Sequence, residues 1–142
     1  MAKQATPPST RRRFAGAWSE LDYVCKKISF WLYARKERAK AERFRGRLGR
    51  LLRALPDDER AILREEGWAL LCELKEEIAA AITHREREIR LMERLQEEAA
   101  LPRYSPRTKA YMLQGRGAVD LKKRRVILES LRKEHMLQKR TG

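Results

Sequence analysis

The chain has 142 residues, enough for one ordinary domain with a modest core, and 38% of them are charged against 42% hydrophobic and 7% aromatic, the mixture expected of helices with wide solvated faces. Lys and Arg number 34 against 20 Asp and Glu, a formal net charge of +14; self-repulsion of that size opposes compaction unless something anionic screens it. The composition leaves no membrane span, since the most apolar window runs only from Ile28 to Ala34, and no disulfide framework, since Cys25 and Cys72 each sit in an apolar helical run and read as buried free thiols.

The charge is unevenly placed. Residues 1 to 55 carry 15 Lys/Arg against 4 Asp/Glu, residues 56 to 100 carry 7 against 13, and residues 101 to 142 carry 12 against 3. Basic, acidic and basic thirds succeed one another, so an acidic middle can neutralise one face of each flank and leave the others free.

Residues 1 to 16 combine Pro7, Pro8, Gly16 and the run Arg11, Arg12, Arg13, a composition that reads as a disordered basic arm. The start Met1 to Gln4 runs into Pro7-Pro8 with no apolar stretch, so no secretory signal is expected and a cytoplasmic location is. A single helical domain is predicted over 17–138. Ser19 with Asp22 three positions on reads as a capping box opening a helix over about 19–55. Leu21, Val24, Cys25, Ile28, Trp31 and Leu32 form its first apolar stripe, and Phe44, Leu48, Leu51 and Leu55 a second, out of phase with the first. That phase change implies a bend or break near Ala39.

Pro56 ends this segment, and Asp57-Asp58 supply the acceptors that a helix start wants, opening an acidic helix over about 57–100. Read as one rod, it pairs with 19–55 in a long antiparallel hairpin; read as a pair of helices, it makes a small bundle. Within it, Trp68 and Ala69, Ala81-Ile82 and Ile89-Arg90-Leu91 resemble a tetratricopeptide helix pair, which implies a protein-binding role. Glu76-Glu77 replace that family's turn residues, and Arg85 stands where it has a large aromatic. Ser105-Pro106 places an N-cap before a first-position proline and predicts a short helix over 105–113. Gln114 to Gly117 break it. A last helix over about 118–137 carries Leu121, Leu128 and Leu131 with the run Lys122, Lys123, Arg124, Arg125, ahead of a tail over 139–142. The fold class expected is all-α, a long antiparallel helical hairpin or small helical bundle with basic flexible tails at both ends.

No catalytic set and no metal site is predicted. His84 and Glu88 stand at i and i+4 with Glu73 and Glu77 on roughly the same side, but the Glu-x-x-His pairs of a di-iron bundle are missing. Phosphate-loop, Cys-x-x-Cys and nucleophile-elbow patterns do not occur. Gly46-Arg47-Leu48-Gly49 resembles the Gly-x-x-Gly loop of KH domains, but no strands are readable around it.

The basic side is more specific. Lys36, Lys40, Arg43, Arg47 and Arg50 are spaced by four and three, a stripe suited to tracking phosphates along a nucleic-acid backbone. A competing reading pairs them with the acidic helix. Arg11 to Arg13 and Lys122 to Arg125 add a basic arm and a basic terminal helix. Trp18, Tyr23, Phe30, Trp31 and Tyr33 lie among these cations; rings at helical spacing form cores, yet Trp31 and Tyr33 cannot both face one core, so one of them is a candidate partner surface. Long basic helices with arms resemble, as a class, ribosomal proteins and small helical subunits of RNA-guided or reverse-transcriptase complexes. The expected function is therefore non-catalytic nucleic-acid binding, RNA rather than DNA, in a larger ribonucleoprotein assembly, with other protein subunits or self-association and with no cofactor, small-molecule substrate or membrane. The alternative is a protein-binding adaptor that uses the acidic helix.

Overall fold

The computed structural model describes residues 8–57 and 60–141, with the side chains of 16–57 and 60–140 among them. Its elements are α1 (Pro8–Ser29), a π-helical turn (Phe30–Ala34), α2 (Arg38–Glu42), α3 (Arg45–Ala54), α4 (Ala61–Leu74), α5 (Ile78–Ala99), α6 (Pro106–Met112) and α7 (Ala118–Thr141). The chain is all-α with the character of a small helical bundle. Two compact units, Met1–Glu59 and Arg60–Gly142, stand where the sequence suggests one domain over 17–138.

In the first unit, α1 opens at Pro8, whose fixed φ suits the first helical position. The arm expected over 1–16 is therefore helical from Pro8 onward, residues 1–7 lying outside the described residues. Ser19 falls inside the helix, and Asp22 pairs with Lys26 at 2.8 Å instead of capping. Trp18, Leu21, Val24, Cys25 and Ile28 bury one face of α1, and that face packs against α3.

The segment 19–55 is not one helix. At Phe30 the ladder widens to a π turn, with Arg35 N–H donating to the Phe30 carbonyl at 2.9 Å and Glu37 N–H to that of Trp31 at 2.7 Å. Lys36 then takes the left-handed conformation (φ 53°) and ends the helix. The π turn and the left-handed break at Lys36 that follows it separate the two apolar stripes, so the two need not share a phase. The break comes a few residues before the Ala39 position that the periodicity suggests. From α2 the chain passes into α3 through a tightened turn in which Phe44 N–H donates to the Ala41 carbonyl at 3.0 Å. Leu48, Leu52 and Leu55 are the buried leucines here, while Leu51 is only half-buried. The predicted stripe through Leu51 is corrected to one through Leu52.

In the second unit, the segment 57–100 is also two helices. Asp58 and Glu59 lie outside the described residues, and α4 begins after Arg60. It ends in a Schellman motif: Glu76 is left-handed (φ 64°), Glu77 N–H donates to the Cys72 carbonyl at 2.8 Å and Glu76 N–H to that of Glu73 at 3.0 Å. The long two-helix hairpin thus gives way to a set of shorter helices. Cys72, Ile78, Ala81 and Leu131 form one buried cluster, and Ile89, Met92, Leu121 and Leu128 another. Since Leu121 meets the late part of α5 and Leu131 its start, α7 runs antiparallel to α5. Ser105 Oγ accepts from Thr108 N–H at 3.2 Å as the N-cap of α6. Gly115 takes φ 71° in the turn after α6, and Asp120 reaches back to accept from Gly117 N–H at 3.0 Å at the start of α7, half of a capping box. That helix continues to Thr141, through the residues expected as a tail.

Candidate nucleic-acid interface

The five cations expected on one stripe are distributed over three local structures. Lys36 is the left-handed residue before α2, Lys40 lies on α2, Arg43 in the turn, and Arg47 and Arg50 on α3. Lys36, Arg43 and Arg50 are exposed and enter no ion pair among the described residues. Lys40 is half-buried, 3.4 Å from Glu37 and 4.5 Å above the Trp31 ring. Arg47 donates through Nε to Glu20 at 2.6 Å, with its guanidinium 5.8 Å from the Tyr23 ring centroid. A shallow groove lined by Glu20, Arg47, Arg50, Leu51 and Ala54 runs beside it. Arg11 to Arg13 lie on the first turns of α1, and their side chains are outside the described residues.

The aromatic residues sort differently from the expectation. Trp18 is core, at 2% exposure, and Trp31 and Tyr33 are both half-buried. Of the five rings near the stripe, Tyr23 at 48% and Phe30 at 45% face solvent. Lys27 Nζ lies 5.5 Å from the Tyr23 centroid, and Phe30 meets Trp31 edge to face at 4.9 Å.

On α7 the run of four cations splits in two. Lys122 and Lys123 are exposed and outside any ion pair among the described residues. Arg125 pairs with Glu93 at 2.7 Å on the surface. Arg124 turns inward: its NH2 donates to Glu66 at 2.5 Å and its Nε to Glu88 at 3.1 Å, while Glu88 also accepts from the fully buried Arg85 at 2.6 Å. Desolvation, and then the Glu88 carboxylate, push Glu66 above the ordinary carboxylate range. Desolvation opposes the charge on Arg124, but Glu66 and Glu88 more than offset it and hold the guanidinium above its usual value. Arg124 is thus a packing residue of the second unit and leaves the candidate set. Glu66, Glu88 and Glu93 thus face α7, and so does Glu86, which accepts from Arg132 at 2.9 Å.

His84 does not join Glu88. Its Nδ1 lies 2.6 Å from Glu65 on α4, and its ring stacks near Trp68. No group of three or more His, Cys, Asp or Glu side chains gathers among the described residues. Cys25 and Cys72 are buried free thiols, and burial, reinforced by Glu77, pushes the Cys72 thiol up. No helix among the described residues is long and apolar enough to cross a membrane.

The stretch that resembles a tetratricopeptide pair does turn at Lys75–Glu77, with Ala81 and Ile89 buried. At the position of that family's large aromatic, however, sits Arg85 in its ion network. No protein-family model matches the sequence, no curated protein resembles it significantly, and no solved structure matches it.

Proposed function

We propose that the chain is a non-catalytic nucleic-acid-binding protein, a helical subunit of an RNA-containing assembly that holds its partner mainly through backbone phosphates. The observation that carries this reading is the distribution of cations left over after internal pairing. Glu66, Glu86, Glu88 and Glu93 of α4 and α5 pair with Arg124, Arg125 and Arg132 of α7, and Lys36, Arg43 and Arg50 in one unit and Lys122 and Lys123 in the other remain exposed without an ion pair among the described residues. Exposed Lys and Arg of this kind gain affinity for a polyanion by releasing its condensed counterions. RNA is preferred to duplex DNA because the described helices include no helix-turn-helix reader or zinc module.

A second reading, a helical adaptor for other proteins, is favoured by α7, where Val119, Val126 and Met136 are exposed among the lysines. The acidic segment 57–100 supports it less, because much of its charge is internally matched. Affinity for a short single-stranded RNA, measured by fluorescence anisotropy across a salt series, tests the first reading. The logarithm of the binding constant should fall steeply and linearly with that of salt concentration. A flat dependence overturns it.

A further inference from the structure

We infer that Tyr23 and Phe30 form a base-stacking platform on the outer face of α1, which makes the ligand a single-stranded nucleic acid with unpaired bases rather than a duplex; this deepens the phosphate-binding reading and rests on it. The geometry starts with helix register. Leu21, Val24, Cys25 and Ile28 fix the buried direction of α1. At about 100° per residue, Tyr23 and Phe30 fall within roughly 20° of each other and nearly opposite that direction. Rings that a helix needs for its own packing do not sit on its solvent pole, yet these two are the exposed aromatic residues among the described side chains of the first unit, at 48% and 45%. They are about 10 Å apart along the axis by helix rise.

Charge says what would cover them. Lys26 and Lys27 lie between the two rings in sequence, and Arg47 reaches Tyr23 from α3, with Arg50 further along the groove beside Leu51 and Ala54. Two carboxylates share the site: Asp22 pairs with Lys26, and Glu20 with Arg47. Both pairs are exposed enough to open at little cost. Aromatic rings interleaved with cations match a strand whose bases stack while its phosphates track the basic side chains. The two cations now near Tyr23 do not block this. An exposed cation–π contact is worth about twofold to fivefold in a binding constant, whereas stacking a base on an aromatic side chain is worth roughly fivefold to a hundredfold. A base therefore displaces the cation, which becomes available to the adjoining phosphate. A duplex cannot use the platform, because its base faces are closed against one another at a step of about 3.4 Å.

The test uses the full chain, a mixed-sequence single-stranded RNA and the duplex formed from it, with affinity and salt slope measured for each. The wild type should prefer the single strand. Tyr23→Leu and Phe30→Leu should each lower single-strand affinity about fivefold to a hundredfold, leaving duplex affinity and the salt slope as they were. Circular dichroism of both variants should match the wild type, and the ring-retaining pair Tyr23→Phe and Phe30→Tyr should bind as the wild type does, so a folding defect cannot imitate the result. If both strands bind equally and the leucine variants change neither, the platform is overturned while the phosphate reading stands, and the two rings belong to a protein contact. If neither RNA shows salt-dependent binding, the phosphate reading fails first and the platform fails with it.

Discussion

Arg124 and Arg125 are adjacent and chemically identical, but they face different dielectric surroundings. Arg124 ties Glu66 and Glu88 together inside the second unit, and Arg125 meets Glu93 in solvent. Removing one partner of a buried network strands the others, so Arg124→Ala should cost about 3 to 5 kcal/mol, while Arg125→Ala should cost no more than about 1 kcal/mol. Denaturant midpoints of the two variants check this, and equal losses would show that Arg124 is solvated. Glu66 adds a pH signature. Because its carboxyl is raised in the folded protein above its unfolded value, the folded state holds the proton more tightly. The corresponding stability is fully present below the ordinary carboxylate range and is lost as pH rises through the elevated value. Glu66→Gln should flatten that decline, and an unchanged slope above the ordinary carboxylate range would exclude Glu66 as its source. Composition alone treats Lys122 to Arg125 as one basic run. The signal that separates Arg124 was present, since it sits three residues after Leu121 and four before Leu128, on the apolar face. Its partner Glu66, 58 positions away, was not legible without the fold.

At the scale of elements, the helix ends that the sequence marks are those written in ordinary capping chemistry. Ser105-Pro106 opens α6, and Gly115 turns the chain before α7. The two breaks that are hard to read, Lys36 and Glu76, place a charged residue where left-handed backbone normally selects glycine. Nothing in Arg35-Lys36-Glu37 or Lys75-Glu76-Glu77 is ordinary stop chemistry, so the first break was legible only as a phase change placed near Ala39, and the second only through the resemblance to a tetratricopeptide pair. The conformation carries a cost that substitution can release. Glu76→Gly should stabilise the protein by about 1 kcal/mol, because the penalty of a Cβ in that region disappears and any contact of an exposed carboxylate is worth less. Glu77→Gly, one residue on at φ −88°, should give no such gain. Thermal midpoints of the two variants decide the matter, and a destabilising Glu76→Gly would contradict the Schellman turn.

At the scale of the whole molecule, the acidic segment from Arg60 onward belongs to the second compact unit. Its Glu66, Glu86, Glu88 and Glu93 pair with Arg124, Arg125 and Arg132 of α7. The all-α class was legible because apolar spacing of three and four persists through every segment. The grouping of helices was not, because charge complementarity alone allows the acidic segment to mate with either basic flank. The cations that remain exposed divide between the units, and that division can be measured. Each Lys or Arg that neutralises a phosphate adds about one to the salt slope of binding. Arg43→Ala with Arg50→Ala should therefore lower the slope by about two, and so should Lys122→Ala with Lys123→Ala. All four together should lower it by about four if both units engage one strand. Folding should be insensitive, since these side chains are exposed and enter no ion pair among the described residues. A loss confined to the first pair would restrict the interface to Met1–Glu59, the unit that also carries Tyr23 and Phe30. A slope unmoved by either pair would remove these cations from the interface altogether, because no other contribution of a solvated arginine or lysine scales with salt in that way.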